Sequence, residues 1–153
     1  MDRELIMQLR EFNQAYKEMD KIYHSYAKEH GLSDAAFLVL YSLCERGNPY
    51  PQRGLCEDWS CPPQTINSAL KALEKQGLIK LIYVPGNRKN KEICLTSAGH
   101  ALAHDVIAPF IQAERNSFFG LTEQEREIML FTVKKHIDLL KSEVARTKHG
   151  KEK

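Results

Sequence analysis

The chain has 153 residues, a formal net charge of +2, 42% hydrophobic and 27% charged residues, the make-up of a soluble globular protein long enough for a real core. No window approaches 18 consecutive apolar residues, which excludes a helical membrane span, and so small a charge does not by itself argue for nucleic acid. Met1-Asp2-Arg3-Glu4 leads straight into an amphipathic pattern without a signal peptide, so the expected location is cytoplasmic.

Glu4 to about Lys28 reads as one long helix. Leu5, Leu9, Phe12, Tyr16, Met19, Tyr23 and Tyr26 follow steps of four and three, a heptad seam that packs lengthwise against other helices. Ile6 and Ile22 widen it. Gly31 ends the helix, and Ser33 is a good N-cap for a second one. That second helix carries Phe37, Leu40, Tyr41 and Cys44 toward a core. Gly47-Asn48-Pro49-Tyr50-Pro51 reads as a loop.

The next stretch organises the rest. Gln52 to Trp59 is a short helix with Leu55 and Trp59 one turn apart. Ser60-Cys61-Pro62-Pro63 breaks it, and the same prolines suit the first turn of a following helix, where the missing amide would have no partner. That helix runs to about Gln76. Ile66, Leu70 and Leu73, with Ala69 and Ala72 beside them, form its narrow apolar stripe. Gln64, Asn67, Ser68, Lys71 and Lys75 lie on the other face. Gly77 fits the left-handed position past a helix end. Leu78 to Val84 then reads as a strand. Pro85 to Asn90 is a turn carrying Arg88 and Lys89, and Lys91 to Leu95 is the returning strand.

Helix, tight turn, helix and basic hairpin in this order fit double-stranded DNA. The second helix of such a pair enters the major groove. Its short polar side chains, Gln64, Thr65, Asn67 and Ser68, reach base edges: Asn and Gln match adenine, and a Thr methyl touches the thymine methyl. Lys71, Arg88 and Lys89 reach phosphates or a narrow minor groove. The alternative, a solvated helix face beside an ordinary hairpin, explains the helix but not the order of elements. From Pro62 to Thr96 six cations stand against two anions, a local excess of four that exceeds the charge of the whole chain.

Thr96 can cap a helix that shows Ala98, Leu102, Val106, Phe110 and Phe118 on one side, with a kink or break expected at Pro109. Thr122 and Glu125 make a capping box. The last helix displays Met129, Val133, Ile137, Leu140 and Val144 out to about Arg146, and Thr147 to Lys153 reads as a polar tail. The terminal helices hold more apolar seam than a small winged domain covers, so a second copy is expected to bury it, the alternative being that these helices complete a monomeric core.

The remaining motifs are weaker. Cys44, Cys56, Cys61 and Cys94 include no C-x2-C pair and are expected as small buried hydrophobes. His100 and His104 have zinc-compatible spacing but read better as surface residues. His24 and His30 have no evident partner. No nucleophile motif, P-loop or dinucleotide fingerprint argues for an enzyme, and no cofactor is implied.

The chain resembles the MarR family of winged helix-turn-helix transcriptional regulators. The resemblance rests on Leu55-x3-Trp59, Gln64-Thr65-Ile66-Asn67, Leu73-Glu74-Lys75-Gln76-Gly77-Leu78-Ile79 and Leu95-Thr96-x2-Gly99, and it spans nearly the whole chain. One departure is in the wing. The family's Asp-x-Arg pattern is replaced by Asn87 and Lys89 with Arg88 between them, so the Asp that would orient the Arg is gone. The resemblance implies a mainly α (α+β) fold as a single domain over 1–153, with a winged unit at about 33–96 and dimerisation helices at about 1–31 and 97–147. It implies a homodimeric repressor on a palindromic operator, released by a small-molecule effector bound in a cleft between the helical dimer region and the winged unit. Tyr16, Tyr23, Phe37 and Tyr41 are aromatic candidates there, equally suited to the core. Relatives that sense peroxide carry their Cys in the first helix, where this chain has none, and relatives that sense zinc use histidines later on the helix after the wing. A metal- or redox-sensing regulator, or a protein-interaction module without DNA binding, are the alternatives.

Overall fold

A computed structural model describes residues 3–84 and 87–149, with the backbone alone described at residues 84, 87–90, 148 and 149. The turn expected at Pro85-Gly86 and the last four tail residues lie outside them. Two compact units divide the chain, Met1–Ile111 and Gln112–Lys153.

In the first unit the helices are α1 (Arg3–Glu29), α2 (Asp34–Arg46), α3 (Gln52–Trp59), α4 (Pro63–Lys75) and α5 (Ser97–Leu102). Caps expected from sequence set their ends. Gly31 stands at φ 70°, and the Leu32 amide reaches back to the Ala27 carbonyl at 2.9 Å. Ser33 accepts the Ala36 amide at the start of α2. Gly77, at φ 71°, closes α4 in a full Schellman motif: its amide bonds Glu74 O at 2.9 Å and that of Leu78 bonds Leu73 O at 3.0 Å.

Strands β1 (Tyr50–Pro51), β2 (Ile79–Val84) and β3 (Asn87–Leu95) form an antiparallel sheet in the order β1-β3-β2. The expected loop therefore contains a strand, with Tyr50 opposite Ile93 and Pro51 opposite Glu92. The strand β3 also starts earlier than the expected Lys91. The register runs from Tyr83 opposite Lys91 to Val84 opposite Asn87, so Arg88, Lys89 and Asn90 are extra residues on the β3 side.

Phe37, Leu40, Leu55, Ile66, Leu70, Leu73, Ile79 and Ile93 are buried in one cluster that joins α2, the α3–α4 pair and the sheet. Expected core positions on α2 and α5 are corrected. Cys44 on α2 is exposed, and Ala98 on α5 is exposed. On α2 the buried face runs through Ala36, Val39, Leu40 and Leu43, which turns Cys44 outward. Burial of part of its thiol, then the neighbouring Glu45, raise the Cys44 pKa. Cys56, Cys61 and Cys94 are half-buried rather than buried.

After α5 a π-helical turn, Ala103–Ile107, leads into α6 (Ala108–Phe119). The expected break at Pro109 does not occur. The irregularity falls just before it, where the wider turn takes up the defect of a proline that cannot donate. Tyr26 of α1 donates its hydroxyl to the Val106 carbonyl in that turn at 2.8 Å.

The second unit holds the end of α6 and α7 (Glu123–His149). Thr122 and Glu125 exchange the expected capping-box bonds, Thr122 N to Glu125 Oε2 at 2.8 Å and Glu125 N to Thr122 Oγ1 at 3.3 Å. The bond from the Thr122 amide, then that from its hydroxyl, lower the Glu125 pKa. The helix α7 passes Arg146 and continues to His149, so Thr147 to His149 are helical rather than tail. Among the described residues no helix is long and apolar enough to cross a membrane.

Candidate nucleic-acid interface

The geometry of α4 follows from its two faces. Ile66, Ala69, Leu70 and Leu73 are buried, with Ile66 fully covered. Ala72, expected beside them, is exposed. Gln64, Thr65, Asn67, Ser68 and Lys71 are all exposed along the opposite face. Four anchored side chains hold the helix by one edge, so the polar edge is presented rigidly. Ser68 turns its hydroxyl back to the Gln64 carbonyl at 2.9 Å, which leaves its oxygen as an acceptor for an outside donor. Asn67 accepts a bond from Gln52 Nε2 at 2.6 Å, a partner across the helix pair that the sequence reading missed.

Helix α3 supports α4 from behind. Leu55 is fully buried between them. Ser60, at φ 50°, makes the left-handed turn out of α3, and Pro63 takes the first helical position of α4. Polar contacts fix α3 to the rest of the unit. Trp59 donates from Nε1 to Ser42 Oγ at 2.7 Å, and buried Ser42 passes a bond to the Leu38 carbonyl at 2.9 Å. Asp58 accepts the Tyr50 hydroxyl and pairs with Arg46 at 3.5 Å. The Asp58 bond to its phenol, followed by desolvation, raises the Tyr50 pKa.

Thr96 splices the end of α4 to the start of α5. Its hydroxyl donates to Gly77 O at 2.6 Å and accepts the Gly99 amide at 3.1 Å, while its own amide bonds Leu78 O at 3.0 Å. The Leu95-Thr96-x2-Gly99 pattern is thus a joint between the polar helix and the helix behind the wing. In the wing, Lys91 lies over the Tyr83 ring, 5.1 Å from its centroid. The side chains of Arg88 and Lys89 lie outside the described atoms.

Elsewhere in this unit an open cavity of about 690 Å3 is lined by Lys17, Tyr23, His24, Phe37, Trp59 and others on α1, α2 and α3. Two of the expected aromatic candidates, Tyr23 and Phe37, reach it. Trp59 does so unannounced, as does His24, whose Nδ1 meets Asp34 at 2.9 Å. His100 and His104 have separate partners, Asn48 at 3.1 Å and Asp105 at 2.8 Å.

A helix-turn-helix with a three-stranded sheet and a rigid polar helix face is the architecture found in winged-helix DNA-binding proteins. No family model matches the chain. It is 28% identical over 127 residues to the HTH-type transcriptional regulator PecS of Dickeya dadantii, over 79% of this chain and 74% of PecS. The HTH-type transcriptional repressor NicR of Pseudomonas putida is 28% identical over 124 residues, 81% of this chain and 78% of NicR. Among solved structures, a chain described as a MarR family transcriptional regulator from Listeria monocytogenes, complexed with a 26mer DNA, shares 27% identity. It superposes with a TM-score of 0.68 over 93% of this chain and 94% of that one. In sequence and in fold the chain is thus similar to transcriptional regulators, among them solved structures of the MarR family.

Proposed function

We propose that the protein is a homodimeric repressor that reads a palindromic operator through α4 and the wing and leaves it when a small effector binds. The observation that carries the reading is the exposed row Gln64, Thr65, Asn67, Ser68 and Lys71 on a helix whose opposite stripe is fixed in the core. Residues 33–96 form the reading head, and 1–31 with 97–147 supply the dimer contacts. Repression is steric: a dimer on its operator blocks polymerase. The similarity to NicR, a repressor, supports that sign. Replacing Asn67 by Ala should weaken specific binding by roughly 1–3 kcal/mol per half-site and leave random DNA unaffected. Equal losses on both, measured by gel shift, would show that Asn67 is no base reader.

The wing adds phosphate or minor-groove contacts. In a dimer, changing Arg88 and Lys89 together to Ala removes up to four cations from the complex. The slope of log K against log salt should then fall by up to about 3.6, at about 0.9 per lost contact, with little change in melting temperature. An unchanged slope would mean that the wing does not touch the duplex.

The cavity beside Trp59 is the effector site in this reading. Its aromatic walls suit the ring of a small aromatic acid, and Lys17 and Lys21, which share the lining with Asp20 and Asp34, are the cations for its carboxylate. Release requires that the acid bind better to the DNA-free arrangement. Trp59 is the one tryptophan of the chain, so its emission reports on that wall. Titration with aromatic carboxylates should change it and weaken DNA binding over the same range. An emission change without loss of DNA binding would count against release.

A further inference from the structure

Two primary amides meet across the helix-turn-helix. Gln52 opens α3 and is half-buried, and Asn67 stands exposed in the second turn of α4. The Gln52 amino group donates to Asn67 Oδ1 at 2.6 Å. A side-chain amide has one accepting and one donating end. An unconstrained Asn on a recognition helix uses both on adenine, donating to N7 and accepting from the N6 amino group. Here the accepting end is turned toward Gln52, so the end left to face the groove is the Nδ2 donor. The base edge that best matches an amino group with two protons to give is that of guanine, which offers two acceptors, O6 and N7, and no donor, where thymine offers O4 alone. The contact also restricts the Asn67 rotamer before DNA arrives, which reduces the ordering cost of binding.

We propose that Gln52 is a positioning residue that sets the base preference of Asn67, making it select guanine rather than adenine at one position of each half-site. The inference rests on α4 being the recognition helix. The preference at that position is expected to be roughly 5- to 150-fold, the discrimination of one good base contact.

The test is selection of bound duplexes from a randomised library by the full chain, with wild type, Gln52→Ala, Gln52→Glu, Asn67→Ala and the Gln52→Ala/Asn67→Ala pair. Wild type should enrich guanine at one position per half-site. Gln52→Ala should move that position to adenine and leave the other positions, the salt slope and the melting temperature near wild type. A carboxylate at that place accepts and does not donate, so Gln52→Glu should turn the Asn67 amide round. Enrichment then moves to bases with an amino group in the major groove, adenine or cytosine. In the Asn67→Ala background, Gln52→Ala should change nothing further. A Gln52→Ala profile identical to wild type, a Gln52 effect that survives Asn67→Ala, or a wild type that already selects adenine there overturns the inference and leaves the recognition helix standing. A wild type that enriches no sequence removes the recognition helix and this inference together.

Discussion

Replacing Gly99 by Ala should cost about 3 kcal/mol or more and lower the melting temperature by roughly 6–12 °C. Gly99 is buried in the first turn of α5, and a Cβ there would overlap the carbonyl oxygen of Leu78, with the Leu78 carbonyl carbon at 3.0 Å and Leu95 Cδ2 at 3.1 Å. A side chain could swing away, but this obstacle is backbone. The Leu78 carbonyl is held by the Thr96 amide, and Leu78 itself ends the Schellman motif of α4. Relief therefore means parting α5 from α4 and losing the Thr96 bonds to Gly77 and Leu78. The recognition helix would lose its fixed angle to the wing, so DNA affinity should fall along with stability. Ala98→Ser, next in the chain but exposed, should leave both near wild type. A Gly99→Ala protein melting within about 2 °C of wild type would mean that the joint gives easily.

Local chemistry made most of this fold legible before any coordinates. Pro62-Pro63, Gly77, Ser33, Thr96 and the Thr122–Glu125 box each act within one turn of chain, so their residue types alone set the helix ends. The exposed face of α4 was equally readable, because a 3.6-residue period with a narrow apolar stripe leaves only one side for Gln64 and Asn67. What escaped depends on contacts distant in sequence. Strand β1 is two residues long and includes a proline, so it has no periodicity to detect, and its pairing with Ile93 and Glu92 exists only once the chain has folded. Cys44 lies at a helical step from Phe37 and Leu40, but the turn of α2 that meets α4 favours Leu43 instead. The bond between Gln52 and Asn67 spans 15 residues and depends on the crossing of two helices, as the His24–Asp34 pair depends on that of α1 and α2. Pro109 announced an irregularity. Its form, a π turn whose Val106 carbonyl takes the Tyr26 hydroxyl, needed the partner helix.

Changing Ile137 and Leu140 together to Glu should convert a protein that sediments at about twice 17.6 kDa into one that sediments at 17.6 kDa. Among the described residues α1 leaves seven large apolar side chains exposed, from Leu5 at 60% to Ile22 at 62%, and α7 leaves eight, including Ile137 at 41%, Leu140 at 55% and Val144 at 45%. Within the second unit, none of the described side chains of α7 is buried. Covering one such half-exposed side chain contributes about 1 kcal/mol. Fifteen such residues on each of two copies give a gross gain of roughly 30 kcal/mol, against an association cost on the order of 4–15 kcal/mol. Even if a partner covers half of them, a dimer is the expected state at micromolar concentration. Ile137, Leu140 and Val144 are spaced three and four apart on one stripe, so two carboxylates there would have to be desolvated in any interface that uses it. The monomer keeps its reading head, because the core around Phe37, Leu55 and Leu70 lies wholly within residues 1–111. It contacts one half-site at a time, and the two half-site energies no longer add. Affinity for a palindromic operator should drop by at least about 100-fold, while binding to an isolated half-site stays near that of one wild-type head. A wild-type chain that sediments as a monomer at micromolar concentration would refute this architecture, and a double variant that stays dimeric would move the interface off that stripe of α7.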